Sequence, residues 1–209
     1  MARKNKVLIS GWTAAGKTTH ARLVAAELGW AYLDMSPVMR ELTAVSGSRD
    51  WTPEQDDIRR RNRAIDIEAD RRMLEMVSSG SSIVVDAWLQ PWLYRSSSAV
   101  RLWLGSSRAA RTKKCAVSGL RHHEHLSGRQ AAKVIHRKDG FARRQFARRQ
   151  FARLYGVRFD YDPTLFDLHI DNSAYIAETS IAASDAGIRD FQPVLMRRLE
   201  ALLETGSRR

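Results

Sequence analysis

The sequence predicts a three-layer α/β fold on a parallel, five-stranded sheet, and three observations carry that expectation. Short apolar runs alternate along the chain with longer amphipathic stretches, the pattern that parallel strands joined by crossover helices require. Helix-start residues stand where several of those stretches begin, at Ser36-Pro37, Thr52-Pro53 and Ser127. With 209 residues, 44% of them hydrophobic, the chain can build one sizeable core, and a single domain over residues 1–209 is expected.

Taken in order, Lys6-Val7-Leu8-Ile9-Ser10 reads as a buried strand. A glycine-bounded loop leads into a helix from Thr18 to Leu28, closed by Gly29. Trp30 to Asp34 is a second strand. Ser36 as N-cap and Pro37 in the first turn open a helix to about Val45. Thr52-Pro53-Glu54-Gln55 is a second start signal, for a long helix to about Val77. Ser82 to Asp86 and Val100 to Leu104 are strands; Arg108 to Val117 is helical. Ser127 with Gln130 opens another helix. Asp167 to Asp171 is the fifth strand, and Phe191 to Leu203 a closing amphipathic helix.

Charge narrows the function classes. Thirty-five basic and 23 acidic residues leave a net charge of +12. Eleven Lys/Arg and two acids fall between Arg121 and Arg158, so +9 of that excess is local. A locally basic segment argues against general nucleic-acid binding. No apolar run approaches the ~20 residues of a membrane span, and one cysteine, Cys115, excludes an internal disulfide framework and fits a reducing cytoplasm. Within the basic segment Phe-Ala-Arg-Arg-Gln occurs at 141–145 and 146–150, and Phe151-Ala152-Arg153 begins a third copy. A period of five does not keep one helix face, which makes this a local duplication and not a solenoid.

Gly11-Trp12-Thr13-Ala14-Ala15-Gly16-Lys17-Thr18 matches G-x-x-x-x-G-K-[ST], the Walker A pattern, with a strand before and a helix after. Such a loop presents backbone N–H groups and a helix N-terminus to polyphosphate. Its glycines admit close approach, its lysine follows the transferring phosphoryl group, and its Thr18 hydroxyl suits Mg²⁺. Gly11, Thr13, Ala14, Ala15, Gly16, Lys17, Thr18 and Thr19 are therefore candidates to hold ATP.

Beyond this loop the sequence resembles the nucleoside monophosphate kinases, most closely the cytidylate kinase-like group, over most of the chain. Ser36-Pro37-Val38-Met39-Arg40-Glu41 is similar to that family's acceptor-site helix, and Ile65 to Arg72 to its Asp-bearing helix beside the pocket. Tyr155-Gly156 and Phe166 to Ser173 resemble the segment that returns the lid to the last strand. The resemblance implies a P-loop kinase fold with an Arg-rich helical lid at about 119–158 and an acceptor region at about 35–80. It also implies ATP and Mg²⁺ as cofactors, Arg40 on the acceptor, and lid arginines over the ATP phosphates: Arg121, Arg137, Arg143 and Arg144.

One departure bears on the acceptor. After the third strand the family usually shows an acid, a glycine and an arginine that holds the acceptor phosphate; here the residues are Asp86-Ala87-Trp88. A phosphate acceptor loses a charge-assisted contact, while Trp88, Trp92 and Trp12 suit a ring or sugar face. Asp86 is a candidate general base for a hydroxyl, or a water-mediated Mg²⁺ partner beside Thr18. Asp66 and Asp70, four apart, either pair with neighbouring arginines or read an amine- or hydroxyl-rich substrate. His122 and His125 lack a second ligand pair and read as a polar lid hinge.

The expected activity is thus transfer of the γ-phosphate of ATP to a hydroxyl of a polar small metabolite, sugar- or aminoglycoside-like. CMP or another nucleoside monophosphate is the alternative acceptor. A second alternative is a nucleic-acid-binding P-loop protein using 141–153, where Phe141, Phe146 and Phe151 interleave with arginines. No membrane partner is expected, and monomer and homodimer both stay open.

Overall fold

The computed structural model describes residues 4–44, 58–59, 61–62, 64–79, 81–147, 155–157 and 159–205. Its sheet has five parallel strands, β1 (Lys6–Ser10), β2 (Ala31–Asp34), β3 (Ile83–Asp86), β4 (Ala99–Gly105) and β5 (Leu168–Asp171), in the order β2-β3-β1-β4-β5. β1 is central and wholly buried because both its faces are covered. Val7 and Ile9 point into one apolar layer with α1 (Lys17–Leu28) and α7 (Ile181–Thr205), through Val24, Phe191, Leu195 and Leu199. Leu8, of opposite parity, joins the other layer with α2 (Ser36–Thr43) and α3 (Ala64–Ser79), through Met39, Met73 and Val77. The remaining helices are α4 (Gln90–Leu93), α5 (Arg108–Arg121) and α6 (Gly128–Ala147), with a 3₁₀ turn at Ser173–Tyr175.

The predicted elements recur with shifted ends, each for a local reason. α1 stops where Gly29 turns left-handed at φ 65° and donates back to Ala25 and Ala26. α2 has Met35, not Ser36, in its N-cap position; the Ser36 N–H is taken by Asp34 Oδ1 at 2.7 Å. The helix expected to run from Thr52 to Val77 is interrupted at Asn62, whose Oδ1 accepts from the Ala64 N–H at 3.1 Å and starts α3; residues 52–57 lie outside the described ones. At α6 the expected capping box is present: Gln130 Oε1 accepts from the Ser127 N–H and Ser127 Oγ from the Gln130 N–H. α7 begins ten residues before its apolar periodicity, because Ser180 Oγ accepts from Ala183. α4 went unpredicted, being a single turn opened by Pro91.

α7 packs against the 3₁₀ turn at Gly187, where a Cβ would run into the Tyr175 carbonyl. Gly187→Ala is therefore expected to destabilise the fold by about 2 kcal/mol through overpacking, lowering Tm by roughly 4–8 °C in a chain of this size. Thermal unfolding followed by circular dichroism measures it; an unchanged Tm would mean that α7 is not seated on the turn.

Candidate active site

The carboxyl ends of β1, β3 and β4 converge on the loop between β1 and α1, where an open α/β sheet places its ligands. Two residues of that loop bend the backbone left-handed, Ala14 at φ 60° and Gly16 at φ 96°. Those turns point successive N–H groups toward the space ahead of α1. Gly11 is required for packing: a Cβ there would meet the Leu104 carbonyl of β4. The loop is held from behind. The Ala15 carbonyl accepts from Asn172 Nδ2 at 2.8 Å and Lys114 Nζ at 3.4 Å, and the Thr13 carbonyl from Arg111 at 3.2 Å.

Lys17 is 9% exposed, and its ammonium donates to the Trp12 carbonyl at 3.2 Å. Burial lowers its pKa, against the attraction of Asp86 and Asp139. Thr18 donates to Asp86 Oδ2 at 2.5 Å. Asp86 is raised by burial, with Lys17 and Thr18 pulling it back down. A hydroxyl and a carboxylate joined beside a buried ammonium are the donor set a magnesium–polyphosphate complex requires. The loop opens on a cleft of about 1070 Å³, lined also by Thr19, Trp88, Arg121, Arg137 and Lys138. Arg137 is exposed; Arg121 is ion-paired with Asp185. Arg143 and Arg144 lie on α6, and their side chains, like residues 148–154, are outside the described ones.

On the acceptor side the sequence-predicted residues separate. Arg40 is half-buried on α2. Trp12 stands edge-on to Phe159 at 5.1 Å and to Trp103 at 6.3 Å, and Trp88 lies 6.0 Å from Phe159. Trp92, expected against the acceptor, is instead a core residue, 6% exposed and packed on Phe166 and Phe159. Asp66 is 2% exposed and tied to Arg59. Asp70 is 5% exposed, and its Oδ2 has no hydrogen-bond partner. Burial first, and Asp66 second, push Asp70 up to about 7. The Gln90 amide stands close enough to offset part of that rise, but not in hydrogen-bonding geometry.

Three residues here escaped the sequence reading. Arg111 of α5, 6% exposed, bonds Asp139 of α6 at 2.5 Å as well as the Thr13 carbonyl, so it joins α6 to the loop. Asp34 ends β2 in register with Asp86; a second strand ending in a carboxylate was the signal. Gln90 gave none, since a glutamine after a strand is ordinary. Among the described residues no group of three or more His, Cys, Asp or Glu is placed to hold a metal, His122 and His125 included. No described helix is long and apolar enough to cross a membrane.

Fold and loop together define a P-loop phosphotransferase. No protein-family model matches the chain. The cytidylate kinase of Desulfurococcus amylolyticus is 30% identical over 166 residues, covering 79% of this chain and 83% of that protein. The cytidylate kinase of Aeropyrum pernix is 28% identical over 171 residues, covering 82% and 91%. The chain belongs to the cytidylate kinase family, and it is an ATP-dependent kinase. Among solved structures, shikimate kinase from Bacteroides thetaiotaomicron superposes with a TM-score of 0.53 at 12% identity, covering 91% of this chain and 98% of that one, a likeness of fold alone.

Asp70 supplies a test by pH. Its folded-state pKa lies above the unfolded value, so its contribution to stability is fully present below about pH 4 and is lost as pH rises through about 7. Asp70→Asn, which resembles the protonated acid, is expected to be more stable than wild type at pH 8 by about 1–3 kcal/mol and no more stable near pH 4. Paired melts at the two pH values measure the difference; a gain that does not depend on pH would mean that Asp70 titrates normally.

Proposed function

We propose that this kinase moves the γ-phosphate of ATP to a hydroxyl of a small polar acceptor, and that Lys17, Asp86 and the lid arginines carry the transfer. The observation behind the acceptor is Trp88. Where the family resemblance places a phosphate-holding arginine, an indole stands against Phe159 at 6.0 Å. Together with Trp12 it makes an aromatic wall, and Asp66 and Asp70 stand near Tyr155 of the same cluster. Such a wall suits an uncharged ring better than a second phosphate.

Each residue has a task in this reading. The loop N–H groups and Lys17 bind the β- and γ-phosphates. Thr18 and Asp86 hold Mg²⁺, which when bound neutralises phosphate charge. Asp86 Oδ2 is committed to Thr18, which leaves Oδ1 to accept the proton of the acceptor hydroxyl. Arg121, Arg137, Arg143 and Arg144 meet charge that develops on the transferring group, and closure of the segment 119–158 excludes water.

A second reading, phosphorylation of CMP, is favoured by the cytidylate kinases among its relatives. In it Arg40 takes the acceptor phosphate and Asp86 serves Mg²⁺ only.

Coupled ADP release separates the two. Lys17→Ala is expected to lose ~10²-fold or more in rate with its fold intact; near-normal turnover would sink the kinase chemistry assigned to this loop. Under the hydroxyl reading, Asp86→Asn loses ~10²–10⁴-fold at saturating Mg²⁺, with ATP affinity little changed. Robust wild-type activity on CMP above aminoglycosides, sugars, nucleosides and other monophosphates would retire that reading in favour of the second.

A further inference from the structure

We propose that Arg111 is a positioning residue for the transfer: held in place by Asp139, it aims the Ala14 N–H of the phosphate loop at the nucleotide. The inference rests on the kinase reading above only in requiring polyphosphate at this loop.

The loop backbone shows what has to be aimed. Ala14 and Gly16 line the cleft, while Ala15 between them is buried. The Ala15 N–H is spent on the Trp12 carbonyl at 3.2 Å. Among the described residues nothing accepts from the N–H of Ala14 or of Gly16, which leaves both for a ligand. A trans peptide is planar, so its N–H points opposite to its C=O. The Thr13 carbonyl therefore sets the direction of the Ala14 N–H, and the Ala15 carbonyl that of the Gly16 N–H. Side chains from outside the loop tie both carbonyls. Ala15 is held by Asn172 at 2.8 Å and Lys114 at 3.4 Å, and Thr13 by Arg111 at 3.2 Å. Ala14 needs its tie more than Gly16 does, because at φ 60° an alanine is strained where a glycine is not.

The tie is built for direction more than for stability. Arg111 and Asp139 are 6% and 8% exposed and bonded at 2.5 Å. Around that bond Arg111 Nε, Asp139 Oδ1 and Thr13 Oγ1 are buried without partners. A buried ion pair offsets its own desolvation only when its remaining polar atoms are satisfied, and these are not. One nitrogen, Arg111 Nη1, donates to both Asp139 and the Thr13 carbonyl, so the carboxylate fixes the donor that fixes the loop. Unsatisfied buried atoms of this kind collect where function requires a geometry that stability does not.

The test follows the two amides side by side. Full-length chain labelled with nitrogen-15 at alanine and glycine is titrated with ADP in the presence of Mg²⁺; an amide proton that gains a phosphate acceptor moves downfield. In wild type Ala14 and Gly16 should both move. Arg111→Met combined with Asp139→Leu replaces the pair by apolar side chains, a change that buried pairs often tolerate, and circular dichroism checks the fold. In that variant the Ala14 shift should be lost and the Gly16 shift kept. ADP affinity by calorimetry should fall about tenfold, the loss of one hydrogen bond to a charged group. Arg111→Lys keeps a shorter charged donor and should recover part of the Ala14 shift and of the affinity. A wild-type Ala14 shift in the double variant, equal losses at Ala14 and Gly16, or no Ala14 shift in wild type overturns the assignment. If the double variant does not fold, Arg111→Lys decides: a reduced Ala14 shift beside a full Gly16 shift upholds it, and any other pattern overturns it. The kinase reading fails separately, because an absence of ADP release on every acceptor leaves the amide result standing.

Discussion

Everything at the ligand end of this sheet is arranged around one buried ammonium. Lys17 is carried into the protein by the first turn of α1, and burial works against its charge. The fold answers with Asp86 from β3 and Asp139 from α6, while Arg111 and Lys138 oppose them. Such a balance is poised for a polyanion, because phosphate is the group that relieves the burial of Lys17 and the crowding of the other cations together. The parallel register makes this possible. Ile9 pairs with Asp86 and Asp34 pairs with Asp86, so two carboxylates end level with the start of the loop.

The aromatic block is the second organising feature, and it explains why Trp12 can sit inside a phosphate-binding loop. Its ring packs toward Trp103 and Phe159. Trp92 and Phe166 complete the cluster, so one apolar unit ties the loop, β4 and the returning segment together. Once Trp88 joins it, the end of β3 presents an apolar face where the family resemblance expects a cation. Tyr155, packed on the same cluster, stands near Asp66 and Asp70 of α3.

How much of this was legible in the sequence follows the range of each signal. The strands and α1 were legible because the pattern is local: apolar runs, a Walker loop, a glycine stop. The start of α7 was missed because Ser180 is separated from the apolar periodicity by ten residues, eight of them polar or small. In the site, Lys17, Thr18 and Asp86 could be named from one motif and one strand end. The division between Asp66 and Asp70 could not. Both sit on one helix face four residues apart, and only the tertiary contact of Arg59 decides which is satisfied. Trp92 was misplaced for the same reason: indoles line cores and sites alike, and a core position is defined by neighbours distant in sequence. Arg111 was one arginine among many until its contact with Asp139, 28 residues away, set it apart.

That contact also bears on how the basic face of α6 is placed. Between Arg121 and Arg158 there are two acids, and one of them, Asp139, is consumed inside the protein by Arg111. A buried ion pair contributes little net stability, since desolvation offsets its attraction. What it fixes is register: Asp139 sets which turn of α6 meets the loop, through the bond from Arg111 to the Thr13 carbonyl. Arg137 and Lys138 precede Asp139 directly and line the cleft. A slip of one helical turn would carry them about 5 Å along the helix axis, beyond the reach of direct hydrogen bonds to a phosphate at the loop. The single acid in this stretch of basic helix is thus what aims its charge.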